Sequence, residues 1–197
     1  MKKVCYMMCL MIPLFLYAQQ NDKVEYDLRI SYTGDKNAPT TIRTHYCKGT
    51  TTKCGKQTKT SFQGVLLFSA FYTNGAYDGK VLSYYSNGTL KESRTYIQGK
   101  EEGKRVLYYE NGKIQSEQEY VLGKREGEGK KYYENGILQA QFFYKDDRLD
   151  GIRIEYNKQG ILTYETLYQD GKKKTMKHYD AKGAVLKEQN CRWEACY

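Results

Sequence analysis

Many short stretches of the chain alternate apolar and polar residues with a period of two. The clearest are residues 24–30, 138–144 and 162–168. Such alternation is typical of β-strands that cover one face better than the other. The same period groups Leu90, Glu92, Arg94 and Tyr96 on one face of a predicted strand. The pattern therefore predicts an all-β chain of short strands.

A 24-residue repeat organises these strands. Glycines recur with this step at Gly79, Gly103, Gly127 and Gly151, and again at Gly88, Gly112, Gly136 and Gly160. Tyrosines keep the same step at Tyr84, Tyr108, Tyr132 and Tyr156, and at Tyr96, Tyr120, Tyr144 and Tyr168. A period held in parallel by several residue types indicates a tandem array of one structural unit.

Each unit is predicted to be a β-hairpin. Asn87-Gly88 lies between two strand-like runs, as do the Asn-Gly pairs one and two repeats later. Asn-Gly tolerates positive φ at both central positions of a tight turn, so it is a strong hairpin signal. Successive hairpins are expected to be joined by polar linkers such as residues 99–103.

The array is expected to span most of the chain. Six copies are predicted over residues 55–188, the first and last of them diverged. Residues 19–54 are predicted to form capping strands before the array, and residues 189–197 a cap after it. The predicted fold is an elongated single-layer antiparallel sheet, which explains why tyrosines outnumber phenylalanines, 21 to 6. A tyrosine ring packs while its hydroxyl stays in contact with water.

The first 18 residues have the features of a secretory signal peptide. Lys2 and Lys3 precede an apolar run that ends at Ala18, and a polar segment follows. The run is short for a membrane span, so we expect cleavage after Ala18 and an exported chain that is periplasmic, cell-surface or secreted. An uncleaved anchor is the alternative, because Leu16 is an unusual residue two before the cut.

Charge argues against a nucleic-acid partner. The chain carries 32 basic and 23 acidic residues, and without residues 1–18 it keeps 30 and 23, a net charge of +7. The two signs are interspersed, and 172–174 is the one run of like charge. Interspersed charges are typical of a solvated surface. Contact with a membrane surface stays open, although the mature chain has no apolar run that could span a bilayer.

Four cysteines follow the predicted signal peptide: Cys47, Cys54, Cys191 and Cys196. An even number in an exported chain favours disulfides, and His45 and His178 are too few for a familiar zinc pattern. Local pairs, one on each side of the array, are the simplest of three connectivities and would clamp its two ends. A redox-active thiol pair is the alternative, although the C-x-x-C spacing is absent.

The repeat unit resembles a known family. The pattern Gly-x-x-x-x-Tyr-Tyr-x-Asn-Gly, followed by an apolar residue, a tyrosine and a glycine, runs through residues 103–123. It is similar to the variant MORN repeat, MORN-2, which implies an elongated twisted sheet of hairpins. Bacterial proteins with this repeat are commonly grouped in the YwqK-type antitoxin family, which implies binding to a toxin. Classical MORN proteins imply membrane-lipid binding or scaffolding.

A second tyrosine row is the candidate binding site. Tyr85, Tyr109 and Tyr133 follow the first repeated tyrosines and are expected on the other face of the sheet, without an evident packing need. Together with Lys130 and Lys131, they would offer rigid contact area and steer an acidic partner. A plain solvent-facing ladder is the alternative. The fully repeated tyrosines are expected to be structural.

No catalytic motif is present, and we expect no enzymatic activity, cofactor or metal. The expected function is a non-catalytic exported scaffold that binds another envelope or secreted protein. One alternative is an immunity or antitoxin protein that neutralises a toxin outside the cytoplasm. Another is a binder of anionic lipid or glycan at the cell surface. The sequence does not distinguish these three functions.

Overall fold

The computed structural model describes residues 25–192 and 195–196, and it contains no helix among them. The described strands are β1 Tyr26–Thr33, β2 Thr40–Cys47, β3 Lys53–Thr60, β4 Leu66–Thr73, β5 Ala76–Tyr84, β6 Leu90–Ile97, β7 Lys100–Glu101, β8 Gly103–Tyr108, β9 Ile114–Val121, β10 Lys124–Tyr132, β11 Leu138–Lys145, β12 Arg148–Leu149, β13 Gly151–Tyr156, β14 Leu162–Gln169, β15 Lys172–Tyr179, β16 Val185–Arg192 and β17 Ala195–Cys196. The predicted signal peptide lies outside the described residues.

The strands form one open antiparallel sheet in which they follow one another in chain order. Strands β7 and β8 both pair with β6, and β12 and β13 both pair with β11. Each of these pairs is one strand interrupted at a single residue, Glu102 or Asp150. The predicted fold class, an all-β single-layer sheet of tandem hairpins, is confirmed.

The Asn-Gly turns differ from the tight turn that the sequence suggests. The N–H of Gly88 donates to the carbonyl of Tyr85 (2.9 Å), and the N–H of Tyr85 donates to the carbonyl of Thr89 (2.8 Å). Gly88 has a φ of +86°, whereas Asn87 is not among the residues with positive φ. The loop is therefore a three-residue hairpin loop with glycine in its left-handed position. Asn87 instead accepts the N–H of Thr89 through Oδ1 (2.8 Å).

The tight two-residue turns lie where linkers were expected. Ile97 pairs directly with Lys100, and between them Gln98 and Gly99 have φ of +49° and +82°. Positive φ at both positions defines a type I′ hairpin turn. The N–H of Gly99 also donates to the carbonyl of Tyr77 in the preceding repeat (2.8 Å). The segments are polar as expected, but they are tight turns and strand and not separate linkers, because the sheet continues through them.

One bulge per repeat accounts for the first glycine series. Gly79, Gly103, Gly127 and Gly151 have φ between +71° and +103°, which only glycine adopts readily. Each lies opposite a repeated tyrosine across the following strand, at Tyr96, Tyr120, Tyr144 and Tyr168. Toward the preceding strand the register breaks at these glycines. These glycines therefore recur every 24 residues because the same bulge recurs in every repeat.

A second bulge in each repeat reverses the alternation of side chains. Ser83 lies opposite Glu92, but the next residue, Tyr84, lies opposite Leu90. Because opposed residues share a face, Leu90 lies on the face of Tyr84 and not on that of Glu92. The prediction that Leu90 shares a face with Glu92 and Tyr96 is therefore wrong. Lys91 is the extra residue of this bulge, and it lies between Leu90 and Glu92, which point to opposite faces.

The two faces are named here by what they carry. The arginine face carries Arg94, Arg105, Arg125 and Arg153 with Tyr96, Tyr120, Tyr144 and Tyr168, and the opposite face carries Tyr84, Tyr108, Tyr132 and Tyr156. Ala70, Val81, Ala140, Phe142 and Thr166 are all buried, and all belong to the arginine face. The arginine face is therefore the better-covered side of the sheet.

Disulfides occur at both ends of the array. Cys47 and Cys54 are bonded between β2 and β3, with 5.1 Å between their Cα atoms, which confirms this predicted pair. Cys191 is also disulfide-bonded, and in the sheet register it lies opposite Cys196. The outermost hairpins have a neighbour on one side only, and a covalent link restricts their opening.

The type I′ turns allow a direct test of backbone strain. Leu122 has a φ of +51°, where the other repeats carry Asn74, Gln98, Asp146 and Asp170. Asn tolerates the left-handed region better than Leu, so Leu122→Asn is expected to raise the free energy of unfolding by about 0.5–1 kcal/mol in urea titration. Gly123→Ala, at a φ of +87° with an uncrowded Cβ position, is expected to lower it by about 1 kcal/mol. A destabilised Leu122→Asn variant would contradict the turn assignment.

Candidate functional site

The candidate tyrosine row joins neighbouring repeats. The hydroxyl of Tyr85 donates to the carbonyl of Tyr108 at 2.8 Å, that of Tyr109 to Tyr132 at 2.7 Å, and that of Tyr133 to Tyr156 at 2.8 Å. The three side chains are half-buried. The expectation that this row lacks a packing role is therefore wrong: each ring spans two hairpins. A role in binding a partner stays a prediction.

The turn asparagines extend the same connection. Asn135 accepts the N–H of Ile137 in its own turn through Oδ1 (3.0 Å) and donates from Nδ2 to the carbonyl of Lys158 in the next repeat (3.2 Å). Asn111 makes the equivalent pair of bonds to Lys113 and Glu134. In the next two hairpins Gln159 and Lys182 stand at this place, and the turn N–H groups are accepted two residues earlier instead. Asn157 Oδ1 accepts from Gln159 and Ile161, and Asp180 Oδ1 accepts from Lys182 and Ala184.

The two candidate lysines lie on opposite faces. Lys131 lies on the arginine face, is exposed, and lines a shallow surface groove together with Leu107 and Tyr109. Lys130 points to the opposite face and forms an ion pair with Glu128 at 2.8 Å. The structure thus brings Lys131 and Tyr109 together and separates Lys130 from them. A partner on the arginine face would meet Lys131 as a positive charge.

A charged network occupies the middle of the arginine face. Glu92 accepts from Arg105 Nε at 2.7 Å, and it also pairs with Arg94 Nη2 at 3.2 Å. The guanidinium groups reach further to tyrosine hydroxyls: Arg94 to Tyr96 at 3.1 Å and Arg105 to Tyr120 at 3.3 Å. Burial raises the pKa of Tyr96 above its usual range. One carboxylate therefore links two repeats through two arginines.

This network leaves some polar atoms without partners. Arg94 Nε, Glu101 Oε1, Gln118 Oε1 and Arg153 Nε are buried and have no hydrogen-bond partner within the described part of the chain. Burial raises the pKa of the Glu101 carboxyl, while Arg105 and Arg94 act in the opposite direction. Donors and acceptors of this kind can be satisfied by water or by a polar ligand.

The opposite face carries an apolar patch, defined by Phe143, Ile152 and Leu167, which the sequence analysis missed. The three side chains are 41%, 50% and 40% exposed. Ile152 and Leu167 are direct cross-strand partners, and Phe143 lies on the neighbouring strand, its Cβ 3.9 Å from the position that a Cβ on Gly151 would take. The sequence does contain a signal for this patch. When the repeats are aligned, Ile152 takes the place that Lys104 has two repeats earlier, so an apolar residue stands where a charged one did.

Asp146 and Asp147 form ion pairs at a type I′ turn. Asp146 accepts from Lys124 Nζ at 2.7 Å, and Asp147 accepts from the backbone N–H and Nε of Arg125, both at 3.0 Å. These bonds lower the pKa of both aspartates below the usual range. Among the described residues, no cluster of three His, Cys, Asp or Glu side chains could hold a metal ion.

The tyrosine row yields a prediction about stability. Replacing Tyr85, Tyr109 and Tyr133 by Phe keeps the rings and removes three inter-repeat hydrogen bonds, so the free energy of unfolding is expected to fall by about 1 kcal/mol per site. Chemical denaturation measures the change. Tyr32→Phe, on a side chain that is 66% exposed, is the control and is expected to change little. An unchanged triple variant would show that these bonds contribute nothing.

Two carboxylates are expected to give opposite pH effects. The raised pKa of Glu101 means that its stabilising contribution is present at low pH and is lost as pH rises through the folded-state pKa. Glu101→Gln is therefore expected to gain stability relative to the wild type between pH 4 and pH 7. The lowered pKa of Asp147 has the reverse sign: its contribution is present above the ordinary pKa and is lost as pH falls through the folded-state pKa. Asp147→Asn is therefore expected to lose stability relative to the wild type as pH rises from about 2 to about 5. Urea titrations at the two ends of each pH range test this, and equal signs for the two variants would contradict it.

Comparison with known proteins bears on the repeat itself. No helix among the described residues is long and apolar enough to cross a membrane. A search of the curated proteins finds no match to the chain. Residues 77–98, 101–121 and 125–146 match the family model of the MORN repeat variant. These segments coincide with the three central hairpins, so the chain contains MORN-type repeats of the variant class.

Proposed function

We propose that this protein is a non-catalytic scaffold that binds another protein through the surface of its sheet. Its MORN-type repeats suggest a repeat scaffold, an architecture that often serves binding. Both faces of the sheet offer extended surface to a partner. The candidate surfaces are an apolar patch on one face and a tyrosine–lysine groove on the other.

The patch of Phe143, Ile152 and Leu167 is the observation that carries this proposal. Phe143 and Leu167 occupy the same place in successive repeats, a place that holds Phe71, Thr95 and Glu119 in the earlier ones, and Ile152 takes the place of Lys104. Since Thr95, Glu119 and Lys104 are accommodated, the hairpin itself does not need apolar side chains at these places. An exposed apolar cluster without a packing role is typical of an interaction site. A shallow groove beside it is lined by Glu165, Thr175 and Lys177, which would give the contact a polar rim.

The groove around Tyr109 and Lys131 is the second candidate surface. Tyr109 is held in place by its bond to the next repeat, so it would lose little conformational freedom on binding. Lys131 supplies an exposed positive charge that would attract an acidic partner. In this arrangement a structural role for the tyrosine row and a binding role are compatible.

The proposed place of action is outside the cytoplasm. The apolar run that ends at Ala18 and the bonded Cys47–Cys54 pair support export. The partner is proposed to be an envelope or secreted protein. An immunity function against an exported toxin, and binding of anionic lipid or glycan, are the alternatives that an experiment has to separate.

Crosslinking and pull-down from the envelope fraction of the host organism test the proposal. The patch variant combines Phe143→Thr, Ile152→Lys and Leu167→Glu, which are residues that earlier repeats carry at these places, so the hairpins are expected to remain folded. Lys131→Glu tests the groove. Ile97→Lys, at another exposed apolar position, is the matched control.

We expect the wild type and the Ile97→Lys variant to capture the same protein in similar amounts. The patch variant is expected to capture at least about tenfold less of it, because it lacks the apolar anchors of the interface. Loss with Lys131→Glu alone would move the site to the groove. Capture of a toxin would favour the immunity alternative. If no protein is captured, and salt-sensitive binding to anionic vesicles or cell-wall material is found, the scaffold proposal is overturned in favour of the surface binder.

A further inference from the structure

Strand β1 forms a free edge of the sheet. It pairs with β2 over all eight residues without a register shift, and with no other described strand. Its sequence contains no proline and no lysine. Natural edge strands usually carry such residues, or a bulge, because an unprotected edge can pair with another chain. Apart from the charges of Asp27 and Arg29, the edge at β1 therefore lacks the common protections against pairing.

The backbone groups of alternate β1 residues point away from the sheet. The carbonyl of Glu25 accepts from the N–H of Lys48, and Cys47, opposite Tyr26, instead donates its N–H to Thr52 on its other side. In an antiparallel ladder this orientation alternates along the strand. The N–H and C=O groups of Tyr26, Leu28, Ile30 and Tyr32 therefore face the free edge, where another strand could bond to them.

The side chains of these same residues are also uncovered. Tyr26, Leu28, Ile30 and Tyr32 are 46%, 52%, 48% and 66% exposed. All four point to one face because they alternate along the strand. A strand added at this edge would cover part of this apolar row and pair with its backbone, the two contributions that support β-strand addition.

The charges of β1 identify a second copy of the same strand as the occupant. When two β1 strands run antiparallel about a two-fold axis at Leu28, Asp27 lies opposite Arg29 of the second copy, and the reverse holds on the other side. Tyr26 then lies opposite Ile30, apolar against apolar. If the register of the two strands shifts by two residues in either direction, Arg29 lies opposite Arg29 of the second copy, or Asp27 opposite Asp27. Like charges directly opposite one another are unfavourable.

Both charged side chains also make contacts within their own chain, to β2 and the loop that follows it. Asp27 Oδ2 accepts the N–H of Gly49 at 2.8 Å, and Arg29 Nη2 donates to the carbonyl of Thr50 at 3.0 Å. The Arg29 guanidinium also lies over the ring of Tyr46, 4.5 Å from its centroid.

We propose that the protein forms a two-fold dimer by antiparallel pairing of β1 with β1 of a second copy, centred on Leu28. The two sheets then continue into one, joined by about six backbone hydrogen bonds from Tyr26, Leu28 and Ile30 of each copy. Two reciprocal Asp27–Arg29 contacts set the register. The dimer leaves the apolar patch of each copy accessible, so one assembly presents two binding patches.

Sedimentation velocity of the protein, expressed from the full chain and kept non-reducing, tests the dimer over about 1–100 μM, a range in which mass action would reveal dissociation. The expected mass approaches twice that of the monomer as concentration rises. Leu28→Pro removes an N–H that faces the free edge and none that bonds to β2, so it is expected to give a folded monomer. Leu28→Thr keeps that N–H and is expected to remain dimeric.

A charge exchange tests the register independently. Asp27→Arg and Arg29→Asp each place like charges opposite one another, so each variant alone is expected to be monomeric. Mixed together they place unlike charges opposite one another, and a mixed dimer is expected. A wild type that stays monomeric, a dimer that survives Leu28→Pro, or polymers longer than a dimer would overturn the proposal. Two monomeric variants that fail to combine would overturn the register.

Discussion

A single-layer sheet has no second layer to cover it, so each hairpin of this protein depends on the hairpins beside it. The structure meets this constraint with contacts that step from one repeat to the next. Tyr109 bonds to a carbonyl 23 residues onward, and Gly99 bonds back to Tyr77. On the arginine face, Glu92 reaches Arg105 of the following repeat. Such an array resembles a one-dimensional chain of coupled units.

This dependence separates two kinds of residue. Positions that repeat, such as Gly103 and Tyr120, serve the bulge, the turns and the contacts between hairpins, and they are explained by the fold alone. Positions that vary between repeats and carry exposed apolar side chains, such as Ile152 and Leu167, are better candidates for binding. The arginine face is the more covered side and the opposite face carries the exposed apolar patch. The residues that bind a partner are therefore expected among the positions that differ between repeats.

Much of the fold could be predicted because one period recurs in several residue types. The hairpins, the sheet and the Cys47–Cys54 bond follow from this period and from the number of cysteines. The turn types could not be predicted, because Asn-Gly suits two kinds of hairpin loop and the bulge at Lys91 decides between them only in three dimensions. The same bulges reverse the alternation of side chains. The site was only partly predicted: Tyr109 and Lys131 come together, whereas Lys130 lies on the other face.

Native-state hydrogen exchange, resolved hairpin by hairpin, tests most directly whether stability comes from neighbouring repeats. If it does, protection is highest in the central hairpins between residues 79 and 146 and falls stepwise toward both ends, because terminal hairpins have one neighbour and open first. Equal protection in every hairpin, with all amides exchanging through one global unfolding, would contradict the account.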